Sequence, residues 1–372
     1  MKKQRKFLGL LLAVLMINLM LPTFTAMGQT EINPLTGLAA AEPDRLGYPP
    51  FLIPFSRYPD VNRPTMGLSA APWVFELYVN AGESRPYGLF YGELPRAAAD
   101  IVPVIGAISS AIPGVESLRK QYQAVLVTTG NSDFVLAEGL MNLENWYGEK
   151  GNEKYPDLPL QRLEAMMEKW RGRLSAPDLE GIKIPFDLAL PANGIAGKAL
   201  TVRYASFNEI FWEFDLTQGQ YFRSQNSNAD PTHQKDMDVL TNQQIAAQNV
   251  IILFADHSIM ADKIHFTVNF NFVERNPAII FRDGVRYDVF WTTKSESYER
   301  EMEKMRPIRF ITADGEPFPL KPGKSWVHVF QPGNDNYEVE ALGSNLKSAG
   351  SGIWKFPYIS IKPEEKTLSD QP

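Results

Sequence analysis

The chain has no cysteine, which excludes disulfides, thiolate zinc sites, a cysteine nucleophile and a cysteine to carry a lipid. Histidine is scarce. His233, His257, His265 and His328 are the only four, and no His-Glu-x-x-His spacing occurs, which argues against a zinc protease. Histidines 257 and 265 with Asp256 or Asp262 read as solvated strand residues rather than metal ligands. Positive charge is not in excess either. With 37 basic against 43 acidic residues the net charge is −6, whereas sequence-independent nucleic-acid binding needs a basic surface. There is no Gly-x-Gly-x-x-G or Walker pattern, no Gly-x-Ser-x-Gly elbow, and no repeat at a period of 20–50 residues. No cofactor, metal or catalytic residue is therefore expected from motifs.

What is present is an ordinary folding composition. The chain is 372 residues long, 44% hydrophobic and 12% aromatic, enough for packed cores and more than one domain usually holds. The first residues read as an address. Lys2, Lys3, Arg5 and Lys6 precede an apolar run from Phe7 to Leu21, followed by Pro22 and the small-residue stretch Thr25-Ala26-Met27-Gly28. This is the layout of a secretory signal, with cleavage expected after Gly28. An uncleaved anchor is the alternative, but fifteen apolar positions interrupted by Asn18 are short for about 30 Å of hydrocarbon. Export predicts an extracytoplasmic protein, secreted or envelope-associated, touching a membrane only if the leader stays attached.

The pattern predicts an extended lead-in over 29–50, an N-terminal domain over 51–180, a C-terminal domain over 198–333 and a polar tail over 334–372. Trp73–Val79, Tyr87–Tyr91 and Ala124–Thr128 read as strands, and Asn131–Leu140 as a short helix. Leu160, Leu163, Met166, Met167 and Trp170 recur at helical spacing, predicting a helix over 159–171 with Pro159 in its first turn. In the second half, Ile264, Phe266, Val268, Phe270 and Phe272 alternate with polar residues, predicting a nine-residue strand. Ile279–Phe281 and Val285–Trp291 flank Asp283-Gly284 as a hairpin, Asp314-Gly315 marks a turn, and Ser325–Phe330 reads as a strand. Ile353–Ile361 is available as an edge strand. Asn226, Asn228, Asp230 and Thr232 imitate a calcium loop, but Pro231 stands where glycine is required and Met237 where a bidentate glutamate belongs. Only a weak site around Asp230, Asp236 and Asp238 is left by that reading.

Several of these segments resemble the YerB-like family of bacterial lipoprotein-type chains, whose members pair two domains without an established activity. The N-terminal likeness runs through Asn33–Leu38, Arg63–Leu68, Ala71–Glu76 and Gly82–Arg85. The C-terminal likeness runs through Trp212–Asp215 with Gly219, Tyr221 and Arg223, then Asp238, Thr241 and Gln248–Ile252, then Phe281–Gly284 with Trp291, and last Leu320–Val327. The resemblance implies an α+β fold: a layered mixed α/β N-terminal domain followed by a mostly antiparallel, β-rich C-terminal one. Two departures stand out. Where the family carries two arginines, this chain has Ile105 and Ile108, which cannot imitate a guanidinium fork. Its His-x-Asp reads Asp236-Met237-Asp238 here.

If a polar ligand is bound, Arg63, Glu76, Glu83 and Arg85 are the candidate residues. Glu76, set among Phe75, Leu77 and Tyr78, also offers itself with Glu83 or Glu93 as a glycosidase pair, which needs one carboxyl kept protonated by an apolar site. Strand alternation turns Glu76 away from Phe75 and Leu77, toward solvent, where it would pair with Arg85 or Arg63. The sequence thus points to a non-catalytic envelope protein that binds a protein, glycan or small polar ligand. An extracytoplasmic glycan or peptidoglycan hydrolase is the alternative. If the binding site is the one formed by Arg63, Glu76, Glu83 and Arg85, Glu76→Gln and Arg85→Ala should abolish ligand binding without unfolding the chain.

Overall fold

The computed structural model describes residues 31–130, 142–174, 184–260, 265–301 and 305–360. The leader, the 131–140 helix expectation and the last twelve residues lie outside them. Among the described residues no helix is long and apolar enough to cross a membrane.

Thirteen strands carry the architecture. The first half supplies β1 (Phe51–Pro54), β2 (Trp73–Tyr78), β3 (Ser84–Phe90), β4 (Val125–Thr128) and β5 (Leu143–Asn145). The second supplies β6 (Ala199–Ala205), β7 (Asn208–Asp215), β8 (Gln220–Gln225), β9 (Asn249–Phe254), β10 (Asn276–Arg282), β11 (Val285–Thr292), β12 (Ser325–Phe330) and β13 (Ile353–Pro357). Two helices, α1 (Val115–Gln121) and α2 (Leu160–Trp170), are the longest of the described ones. The class is β-rich as a whole.

An 11-stranded main sheet runs β11-β10-β9-β12-β2-β3-β1-β4-β5, completed by the short strands Ile195–Ala196 and Arg309–Ile311 against β11. The two halves of the sequence meet inside this sheet. Strand β12 lies parallel to both β9 and β2, with Ser325 opposite Trp73 and His328 opposite Glu76. The stretch expected to separate two domains is itself pinned to the sheet, through Ile195–Ala196 and a bridge from Phe186 to Leu320. A second, 7-stranded sheet runs β8-β7-β6-β13, flanked by Gln234–Lys235, Ala246–Ala247 and Tyr337–Glu338.

Alternation explains the layers. Along β2, Trp73, Phe75 and Leu77 join one core with α1, through Val115 and Leu118. Val74 points the other way, into a second core shared with Leu200, Val202 and Trp212 of the second sheet and with Leu163, Met166 and Met167 of α2. That face of α2 is the stripe its spacing predicts. Each core draws on both halves of the chain.

The β10–β11 hairpin turns on Asp283 and Gly284, whose φ values of 55° and 73° fit the tight two-residue turn expected of Asp-Gly. Two expectations need correcting. The nine-residue strand is only Phe266–Val268, paired to His257–Ile259, because the Asn269 side chain accepts the Asn271 backbone N–H and Phe272 turns to a φ of 50°. And β13 is not an edge. It lies between β6 and Tyr337–Glu338, so part of the polar tail is built into the second sheet.

Candidate functional site

Strand parity places charged side chains where two apolar layers face each other. Glu76 of β2 and His328 of β12 are register neighbours on the face covered by the second sheet. From that sheet Trp212 and Arg223, themselves register partners on β7 and β8, point back at them. Trp326 and Ser84 close the sides. Glu76, Arg223 and His328 are all 0% exposed.

Every oxygen of Glu76 is engaged. Oε1 accepts the Ser84 hydroxyl at 2.7 Å, Oε2 accepts the Trp326 indole N–H at 2.9 Å, and Arg223 Nη2 stands 3.4 Å from Oε2. Arg223 also bonds Asp236 and lies 4.9 Å over the Trp326 ring. Arg57, in the loop after β1, donates to Asp236 at 2.9 Å and to Gln225 at 2.7 Å. Two guanidinium groups thus face two carboxylates, and the cluster is neutral if His328 is neutral.

The geometry says that it is. Trp212 donates its indole N–H to His328 Nε2 at 3.0 Å, so Nε2 is an acceptor and the ring proton sits on Nδ1, 3.6 Å from Glu76 Oε2. Burial pushes the imidazole down to about 4, more than the neighbouring Glu76 pulls it up. Burial also presses the Glu76 carboxyl upward, but the Arg223 charge, the Ser84 hydroxyl and the more distant Arg57 charge outweigh it and hold the group below its ordinary range. Asp236 is held low in the same way by Arg57 and Arg223.

The four residues expected to share a site do not meet. Glu76 faces the covered side and not solvent, since the second sheet lies over it, and its ion-pair partner is Arg223 rather than Arg85 or Arg63. Arg85 is on the opposite face of the main sheet by alternation and donates to the Ser110 carbonyl at 2.9 Å. Arg63 pairs with Asp60 and donates to the Asn226 carbonyl at 2.8 Å. Glu83 belongs to the β2–β3 turn, its backbone bonded to Asn80 and Val79. Ile105 and Ile108 are fully buried in the second core.

The calcium-like loop is tied up internally. Asn226 accepts the Glu209 N–H and donates to the Ser206 carbonyl, Asp230 accepts from Thr232 and Gln234, and Asp238 accepts the N–H groups of Gly67, Ser69 and Leu240. Among the described residues no group of three acids and histidines is placed to hold a metal.

Motif reasoning passed over Arg57, Gln225 and His328. The available signal was a charge placed in phase with aromatics: His328 alternates in register with Trp326 and Phe330, and Arg223 with Tyr221.

The same strands present a different surface outward. Phe222 and Ser224 of β8, Glu213 and Asp215 of β7, and Gln244 and Lys235 from neighbouring segments line an open hollow of about 610 Å³. Its floor is Phe211, only 3% exposed beneath the His233 ring at 4.5 Å. That volume falls within the ~300–1,000 Å³ usual for small-ligand sites. A second cavity, beside Trp326 and Lys324, is only about 10 Å³.

Two family profiles match the chain, both described as protein of unknown function (DUF3048): the N-terminal domain over residues 35–160 and the C-terminal domain over 200–327. Among solved structures the fold is similar to the crystal structure of the YerB protein from Bacillus subtilis, at 19% identity and a TM-score of 0.59, covering 80% of this chain and 96% of that one. A search of curated proteins gives no match.

Proposed function

Because this chain belongs to the YerB-like family, which pairs two domains of unknown function, we propose its function from geometry: a non-catalytic, exported binding protein of the bacterial envelope whose ligand seat is the hollow on the outer face of the second sheet. One observation carries the reading. The carboxylate best placed by sequence for chemistry, Glu76, is sealed between two sheets and held ionised by Arg223. A general acid must be protonated and must reach its substrate. Glu76 does neither, and its cluster works as a polar weld between the two sheets. Export rests on the leader pattern of residues 1–28. The reading also keeps the first half as a layered α/β unit, supported by α1 and α2 contributing to different cores.

The hydrolase alternative moves to Glu213 and Asp215, two carboxylates at the open hollow. Incubating the protein without its leader with cell-wall glycan separates the two. The binding reading expects no new reducing ends from the wild type; turnover lost in Glu213→Gln would select the hydrolase.

A further inference from the structure

We infer that the hollow on the second sheet takes a neutral oligosaccharide, an inference that rests on the binding reading above and names its ligand class. The lining alternates two kinds of surface. Phe222, outward by strand parity and half-buried, leaves ring area at the hollow, while Glu213, Asp215, Gln218 and Gln244 set acceptors and donors beside it. A pyranose has the matching anatomy, with an apolar C–H face that packs on an aromatic ring and a rim of hydroxyls that both donate and accept.

The other common occupants fit poorly. A nucleic acid would need a basic groove, but the charged lining is two carboxylates and one lysine beside His233. A lipid tail would need an enclosed apolar slot, and this one is open and mostly polar. An extended peptide would dock by adding a strand to a free edge. The edge of β8 is already taken by Gln234–Lys235 and Ala246–Ala247. The near balance of lining charge favours an uncharged sugar over a uronate or an amine.

The floor gives the site rigidity. Phe211 is clamped between His233 and the loop at Gly343, where an added Cβ would stand 3.5 Å from the ring. The walls come from paired strands, and a preformed aromatic surface loses little conformational freedom on binding.

Titration calorimetry of the protein without its leader against cellohexaose and chitohexaose tests this. Binding of at least one sugar is expected, weakened tenfold or more in Phe222→Ala and several-fold in Glu213→Gln, with thermal midpoints near that of the wild type. No heat with either sugar at millimolar concentration, or affinity untouched by both substitutions, overturns the assignment. Because the chain has no cysteine, Gln218→Cys accepts a single fluorophore at the rim. A label that answers to envelope extract but to neither sugar rejects the ligand class and keeps the binding reading. A label silent to both rejects the two together.

Discussion

The two faces of the second sheet are made by the same strands and do opposite things. Inward from β7 and β8 come Trp212, Arg223 and Gln225, which meet the main sheet and leave no path for solvent to Glu76. Outward come Glu213, Phe222 and Ser224, which line an open hollow. The side with the more strongly perturbed ionisable groups is the closed one. Perturbed ionisation mostly marks functional sites, but structural ion-pair networks perturb it too, and access decides between them.

The largest effect expected from breaking this contrast is on the closed face. Arg223→Met strips Glu76 and Asp236 of a shared cation and should cost about 3–5 kcal/mol, the usual penalty for leaving a buried charge unpaired. Urea unfolding checks it, and a loss below about 1 kcal/mol would place the cluster in contact with water.

Acid titration comes next. His328 titrates at about 4 when folded against an ordinary 6.5, so the unfolded chain takes up its proton first as pH falls. The His328 contribution to stability is intact above 6.5 and falls by about 3 kcal/mol as pH drops to 4. Glu76 and Asp236 have depressed folded values, so their contribution is present above the ordinary carboxylate range and is lost only below it. In His328→Gln the decline between 6.5 and 4 should shrink to the share left by His257, whose burial also lowers its imidazole, and a decline of undiminished size would assign it elsewhere.

The smallest effect should be on the open face. Glu213→Gln touches an exposed side chain, and its stability change should stay within about 0.5 kcal/mol. A larger loss would mean that the hollow is part of the weld.

Much of the fold was legible because local patterns decided it. Trp73–Tyr78, Ser325–Phe330, the α2 stripe and the Asp283-Gly284 turn follow from alternation, helical spacing and turn chemistry within a few residues. The site was not legible for the complementary reason. Parity correctly turned Glu76 away from Phe75 and Leu77, but which face is covered depends on a sheet whose Arg223 is 147 residues distant. Strand Phe266–Val268 stops early because Asn269 offers its own carbonyl to the backbone, an alternative invisible to a count of apolar positions.

The most direct measurement is Glu76→Gln followed by both melting and ligand titration. A weld predicts a lowered thermal midpoint with unchanged affinity for whatever occupies the hollow. An unchanged midpoint with abolished binding, as the sequence alone would have it, would contradict the account and return the site to Glu76.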